Sequence, residues 1–214
     1  MGGISNEELA LFTLVSVLLF TFAGGASAKE EQIHTVKLND ISVELPYDPN
    51  LYDFVRNETS TEVTVTVIER SSGKVETTIG ELKDNNYITR EIAPAATDIK
   101  TIYQDYNDGF AIARLYAVLS VYSSGSFGQI NSVLDTYWAN VGDGVYTIED
   151  AHANSVSGTG KFPTNKISVS GTAVIDVAFD QTGGFDLAGI GYSLTTSNHF
   201  RKAIQKGYTY TYGN

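Results

Sequence analysis

The sequence predicts an all-β protein: an antiparallel β-sandwich, or a related Greek-key or meander sheet, preceded by an N-terminal hydrophobic helix. Three observations carry this expectation. Apolar or small residues recur at every second position in Glu62–Glu69 (EVTVTVIE) and Lys166–Phe179 (KISVSGTAVIDVAF), the period-two signature of strands with one covered face. The 13 tyrosines and 10 phenylalanines, with abundant Thr, Ser and Val, suit pleated half-buried surfaces. Beyond the first 28 residues, no long amphipathic helical pattern is built from the chain's Ala, Leu, Lys and Glu.

The first element is the apolar run Leu9–Ala28, LALFTLVSVLLFTFAGGASA. Its apolar middle and its Ala26-Ser27-Ala28 end fit a secretory signal cleaved after Ala28. That reading places the protein outside the cytoplasm, secreted or at the cell surface. The basic start of a signal is missing, because Glu7 and Glu8 precede the run. A second reading is a retained anchor, since spanning takes about 20 apolar residues. The start is also similar to the processing pattern of type IV pilins: Gly3 precedes Ile4, Glu8 stands fifth after the cut, and the apolar run follows. This resemblance covers about the first 28 residues and implies a retained packing helix in a filament subunit. The leader, Met-Gly-Gly, departs from the basic leader of that family. The expected organisation is residues 1–28 as secretion signal, 29–50 as an extended arm or pro-segment, and 51–214 as a β-rich extracytoplasmic domain.

In residues 29–46, Ile41, Val43 and Leu45 alternate and predict a short strand or two. Pro46–Asn50 is a turn by its chemistry and a candidate boundary. Glu62–Glu69 is the clearest strand, and Ser71–Lys74 a hairpin loop into Val75–Ile79. Ile88–Ile92 and Ile99–Tyr103 are further strand candidates, the latter ending at the turn Asp105–Gly109. Phe110–Tyr122 reads as a strand, because Ala111, Ala113, Leu115, Ala117, Leu119 and Val121 then form one clean apolar face. As a helix the same stretch is apolar nearly all round. Phe127–Trp138 continues as a strand or bent pair. Val141–Gly144 turns into Val145–Ile148, and Asn154–Gly160 is an outer strand or loop. Lys166–Phe179, Phe185–Thr195 and Ala203–Tyr212 predict a three-stranded meander, with turns at Asp180–Gly184 and Asn198–Lys202.

The chemistry is mostly negative. Cysteine is absent, which excludes disulfides, thiol nucleophiles and thiolate metal sites. His34, His152 and His199 lack metal-ligand spacing. Glu149-Asp150-Ala151-His152 reads as a solvated turn in preference to a chelate. Asp105–Gly109 fails as a calcium loop: counting from its glycine puts Gln104, Tyr106 and Asp108 at ligand positions, and Leu115 where a Glu is needed. Ser124-Gly125-Ser126-Phe127-Gly128 is not a nucleophile elbow. There is no phosphate-binding glycine motif, so neither cofactor nor nucleotide is expected. Asn57-Glu58-Thr59 fits a glycosylation sequon.

The net charge of −11 is uneven. Residues 29–150 hold twenty acids against nine bases, and residues 151–214 three acids against five bases. An acidic body argues against nucleic acid, since phosphate contact needs a basic surface. The candidate binding residues are Tyr208, Tyr210 and Tyr212, a period-two aromatic ladder that could stack on sugars or sit at a membrane interface, with Arg201 and Lys202 beside it. The alternative for the ladder is cross-strand pairing inside the sheet. The tail with its Gly183-Gly184 turn also resembles the amphipathic hairpins of β-barrel pore formers. The leading expectation is a non-enzymatic protein that binds or builds something outside the cell: envelope polymers, a membrane surface, or copies of itself. A membrane-active toxin and a pilin-like subunit are the alternatives.

Overall fold

A computed structural model describes residues 33–83, 98–125, 127–182 and 185–213. The export segment with its Ala28 cleavage point, the strand candidate Ile88–Ile92 and the Gly183-Gly184 turn lie outside the described residues.

The chain forms two antiparallel sheets in a sandwich-like arrangement. In chain order the strands are β1 (His34–Lys37), β2 (Ile41–Leu45), β3 (Tyr52–Glu58), β4 (Glu62–Glu69), β5 (Val75–Leu82), β6 (Asp98–Asn107), β7 (Ile112–Ser124), β8 (Phe127–Asn140), β9 (Thr147–Ser157), β10 (Lys166–Ala178), β11 (Ser193–Leu194) and β12 (His199–Tyr212). One sheet is a plain meander, β3-β4-β5-β6-β7-β8. The other runs β1-β2-β12-β10-β9, with β11 paired to β12. Among the described residues no helix is long and apolar enough to cross a membrane.

Alternation explains the core. Val63, Val65 and Val67 of β4 and the predicted apolar face of β7, Ala111 to Val121, are all buried. The β4 valines and Leu115 to Val121 cluster with Ile41, Val43 and Leu45 of β2 and Ile167 and Val169 of β10, and Ala111 and Ala113 with Ala173, Ile175 and Val177 of β10. A strand puts every second residue on one face, so one such face from each sheet suffices to fill the interior. Gly80 on β5 serves the outer face. A Cβ there would sit 2.2 Å from the Tyr103 ring, which lies across the glycine.

Two expectations are corrected. Residues 29–50 were expected as an arm ahead of the domain, with a boundary at Pro46–Asn50. Residues 34–45 instead supply β1 and β2, and β2 pairs with the last strand, Tyr210 opposite Val43. The Pro46 turn carries the chain from one sheet to the other. The three-stranded tail meander is reduced to one long hairpin, β10 with β12. Within Phe185–Thr195 only Ser193–Leu194 is strand. Asp186 accepts the Gly189 N–H at 3.0 Å, and Gly191 takes φ +91°. These local turns win over alternation, while Leu187 and Tyr192 fold inward.

The open sides of the sandwich are closed by side chains. Trp138 Nε1 donates to the His152 carbonyl at 3.2 Å, and Thr136 and Ser155 hydroxyls meet at 2.8 Å between β8 and β9. Opposite, His34 packs on Phe54 at 4.3 Å, and Arg56 donates to the Leu38 carbonyl at 3.3 Å.

Candidate functional site

Register brings three connections together at one end of the sandwich. They are residues 108–111 between β6 and β7, 141–146 between β8 and β9, and 179–198 between β10 and β12. Asn107 pairs with Ile112, Ala113 with Asn140, and Ala178 with His199, so all three leave the sheets at one level.

Polar groups latch these loops from inside. Tyr146 Oη donates to the Ile112 carbonyl at 2.6 Å and accepts from Ile112 N at 2.9 Å and Gly142 N at 3.2 Å. Asp108 accepts the N–H groups of Phe110 (3.2 Å) and Ala111 (3.0 Å), and the Tyr106 hydroxyl at 3.1 Å. Lys202 reaches the same carboxylate at 3.0 Å and also donates to the Ile190 carbonyl at 2.5 Å. Its ammonium lies 5.4 Å and 5.2 Å from the Tyr106 and Tyr192 ring centres, within cation–π reach. Burial pushes the Asp108 carboxyl up. The bonds from Ala111, Lys202 and Phe110 outweigh it and hold the group below the usual carboxylate range.

A second set of charges lies on the outer face of β9, β10 and β12. Arg201 meets Glu149 at 2.8 Å and Asp150 at 3.2 Å, and its Nε lies 3.2 Å from Asp176 without hydrogen-bond alignment. His199 Nδ1 contacts the other Asp176 oxygen at 2.5 Å. A bulge opposite Ala173 turns Asp150 to φ +48°, beside the Glu149–Arg201 pair.

Outside these latches the loops present large apolar side chains. Val141, Val145, Phe179, Phe185 and Leu194 are 39–58% exposed. Phe185 packs edge-on against Phe110 at 5.3 Å, and Phe110 also meets Tyr192 and Tyr146. Phe179 stacks on Phe200 at 5.9 Å, with Leu194 paired opposite Phe200. Each exposed ring therefore stands on a buried or half-buried one. Asp143, Asp180 and Asp186 are exposed among them.

The predicted site residues divide. Tyr208, Tyr210 and Tyr212 are buried in the main core, so they form no exposed stacking platform, and the alternative of packing inside the sheets holds for them. Tyr208 Oη lies 3.0 Å from Tyr47 Oη, and burial pushes the Tyr208 and Tyr210 phenols above their ordinary range. Arg201 and Lys202 stand at the far end of β12 from that ladder, where acidic partners satisfy them. Ala28 lies outside the described residues. Among those residues, no three His, Asp or Glu side chains come together as a metal site.

Sequence reasoning missed Val141, Val145, Phe179, Phe185 and Leu194. Their signal was apolar residues beside Asp/Gly turns, and it was absorbed into strand assignments, or for Val141 into the turn itself. No known protein family, curated protein or solved structure matches this chain.

Proposed function

We propose that the protein is an exported, non-enzymatic binding module that docks its loop-bearing end on an electroneutral membrane surface. The observation that carries this reading is the combination of inner latches and outer apolar tips. Asp108, Lys202, Tyr106 and Tyr146 are bonded to one another or to loop backbone, so their chemistry goes into holding loops in place. The tips are left to bury area on a partner, as interfacial aromatic and aliphatic residues do. Half-exposed Phe, Leu and Val chains contribute about 1 kcal/mol each on burial, about 5 kcal/mol together, or between three and four decades of partition coefficient. Exposed Asp143, Asp180 and Asp186 disfavour anionic headgroups, which selects a zwitterionic surface. The Leu9–Ala28 run supports export.

Flotation with phosphatidylcholine vesicles tests the reading. The protein should float with the vesicles, and Phe179→Ser with Phe185→Ser should return it to the soluble fraction with its fold intact. Adding phosphatidylserine should weaken binding at low salt. A wild-type protein that stays soluble with phosphatidylcholine vesicles defeats the proposal.

A further inference from the structure

The opposite end of the sandwich carries a second recess, unrelated to the loop tips. It is a groove of about 560 Å³ lined by Phe127, Gly128, Gln129, Thr159, Pro163, Thr164, Asn165 and Tyr212. Past Phe127, Gly128 and Tyr212 it continues into a smaller recess of about 240 Å³, where Lys100 and Asp40 stand. Together they have the size of a small-molecule cleft.

The walls are stitched before any ligand arrives. Ile130 and Thr164 exchange two backbone bonds, at 2.6 Å and 3.0 Å, tying the 158–165 connection to β8. Tyr212 N donates to the Asn165 carbonyl at 2.8 Å, tying the end of β12 to the same connection. Ser157 and Thr159 hydroxyls both donate to the Lys161 carbonyl. Gly128 and Gly213 backbones touch: a Cβ on Gly128 would lie 2.8 Å from Gly213 Cα. Gly213 takes φ +86°, which L side chains rarely adopt.

The lining chemistry is neutral and of two kinds. Phe127 is 56% exposed and supported on one side by Tyr122 at 6.4 Å, which leaves ring surface open to the groove. Around it stand amides and hydroxyls. Gln129 donates its NH2 to Asn131, so its carbonyl remains an acceptor, and Asn165 has no side-chain bond among the described residues. Thr159 donates to the Lys161 carbonyl and keeps acceptor capacity, while the buried Thr164 hydroxyl donates to the Lys166 carbonyl and accepts the Lys166 N–H. The main groove contains no charged side chain. The continuation holds Lys37, Lys100, Asp40 and Asp98, whose charges balance, and Lys100 is held charged by Asp40 at 2.5 Å and Asp98 at 3.4 Å. A ligand matched to these walls has an apolar face for Phe127, a rim of hydroxyls that both donate and accept, and no net charge. We infer that this groove is a binding site for a neutral oligosaccharide chain.

The test is an amide chemical-shift titration with cellohexaose, chitohexaose and maltohexaose separately, with oligogalacturonate as the anionic control. At least one neutral hexasaccharide should give saturable shifts confined to residues 127–129, 159–165 and 212–213. Phe127→Ala should weaken that binding about tenfold. Thr159→Lys, which fills the groove from a turn, should abolish it without disturbing the other resonances. Three results overturn the inference: no shift with any neutral chain, binding unchanged in Phe127→Ala, or binding of the anionic control alone. The membrane proposal rests on residues at the other end, so vesicle flotation reads the two independently.

Discussion

At the scale of single residues, Glu81 shows how one buried group joins the two sheets. It lies on β5 of the meander and is fully buried. Its Oε2 accepts the N–H groups of Asn39, Asp40 and Ile41, at 3.0 Å, 3.0 Å and 3.1 Å, in the turn between β1 and β2 of the other sheet. Burial pushes the carboxyl above its ordinary range, and the backbone bonds oppose that without cancelling it. Removing the carboxylate leaves the buried Ile41 N–H without an acceptor. Glu81→Ala should therefore cost about 2 kcal/mol in urea unfolding. Its extra exchange should concentrate in residues 38–41. An unchanged midpoint would show that water replaces the carboxylate at no cost. No feature of the string TTIGEL marks Glu81 as a cap, because the N–H groups that it accepts are about forty positions away.

The element scale separates strands, whose logic is local, from connections, whose logic is not. β4 and β7 were readable because every second residue is apolar and each strand buries one face. Phe185–Thr195 was misread for the same reason: its alternation reflects a loop that tucks Leu187 and Tyr192 under the end of the sandwich. Ile88–Ile92 lies outside the described residues. The loop-bearing end depends on Tyr146, whose hydroxyl serves two connections at once. Tyr146→Phe keeps the ring and removes three bonds, leaving the Ile112 N–H to find water and the Gly142 N–H with Asn140 Oδ1 alone. The expected loss is about 1–3 kcal/mol. Hydrogen exchange should accelerate in residues 108–112 and 141–146 and stay unchanged in β4 and β5. Uniform acceleration would mean that the loops are not a separate cooperative unit.

For the molecule as a whole, the two sheets associate around one ill-placed charge. Lys206 faces inward from β12, between the sheets, with one bond, to the Glu76 carbonyl at 3.2 Å. Burial pulls its ammonium down to about 8, and nearby Glu76 and Asp105 offset that only in part. Between that value and the ordinary lysine range the unfolded chain binds the proton and the folded chain does not. This group alone therefore raises stability with pH, by about 2 kcal/mol from pH 8 to pH 10. From about pH 9 the buried phenols oppose that rise and then reverse it. Tyr47, Tyr103, Tyr208 and Tyr210 are all raised by burial, so the unfolded chain ionises them first. Urea midpoints from pH 7 to pH 11 should pass through a maximum between pH 9 and pH 10, and Lys206→Met should remove the rise below it. A difference between wild type and Lys206→Met that stays constant from pH 8 to pH 10 would contradict a depressed ammonium.

Alternation alone settled that this chain is all β, and it identified the inward residues of β2, β4, β7 and β10. The pleat has a period of two, so side-chain direction follows from neighbours in sequence. Nothing local states which strand lies beside which, or whether a given face is covered. That β12 inserts between β2 and β10 is a matter of long-range pairing. It turned Tyr208, Tyr210 and all but the groove-lining edge of Tyr212 from candidate ligand contacts into core, because burying three rings between sheets gains more than leaving them in water. The same pairing carried Arg201 and Lys202 to acids more than fifty and ninety positions away. It also left the apolar tips of three loops, and a neutral groove at the far end, as the surfaces open to partners.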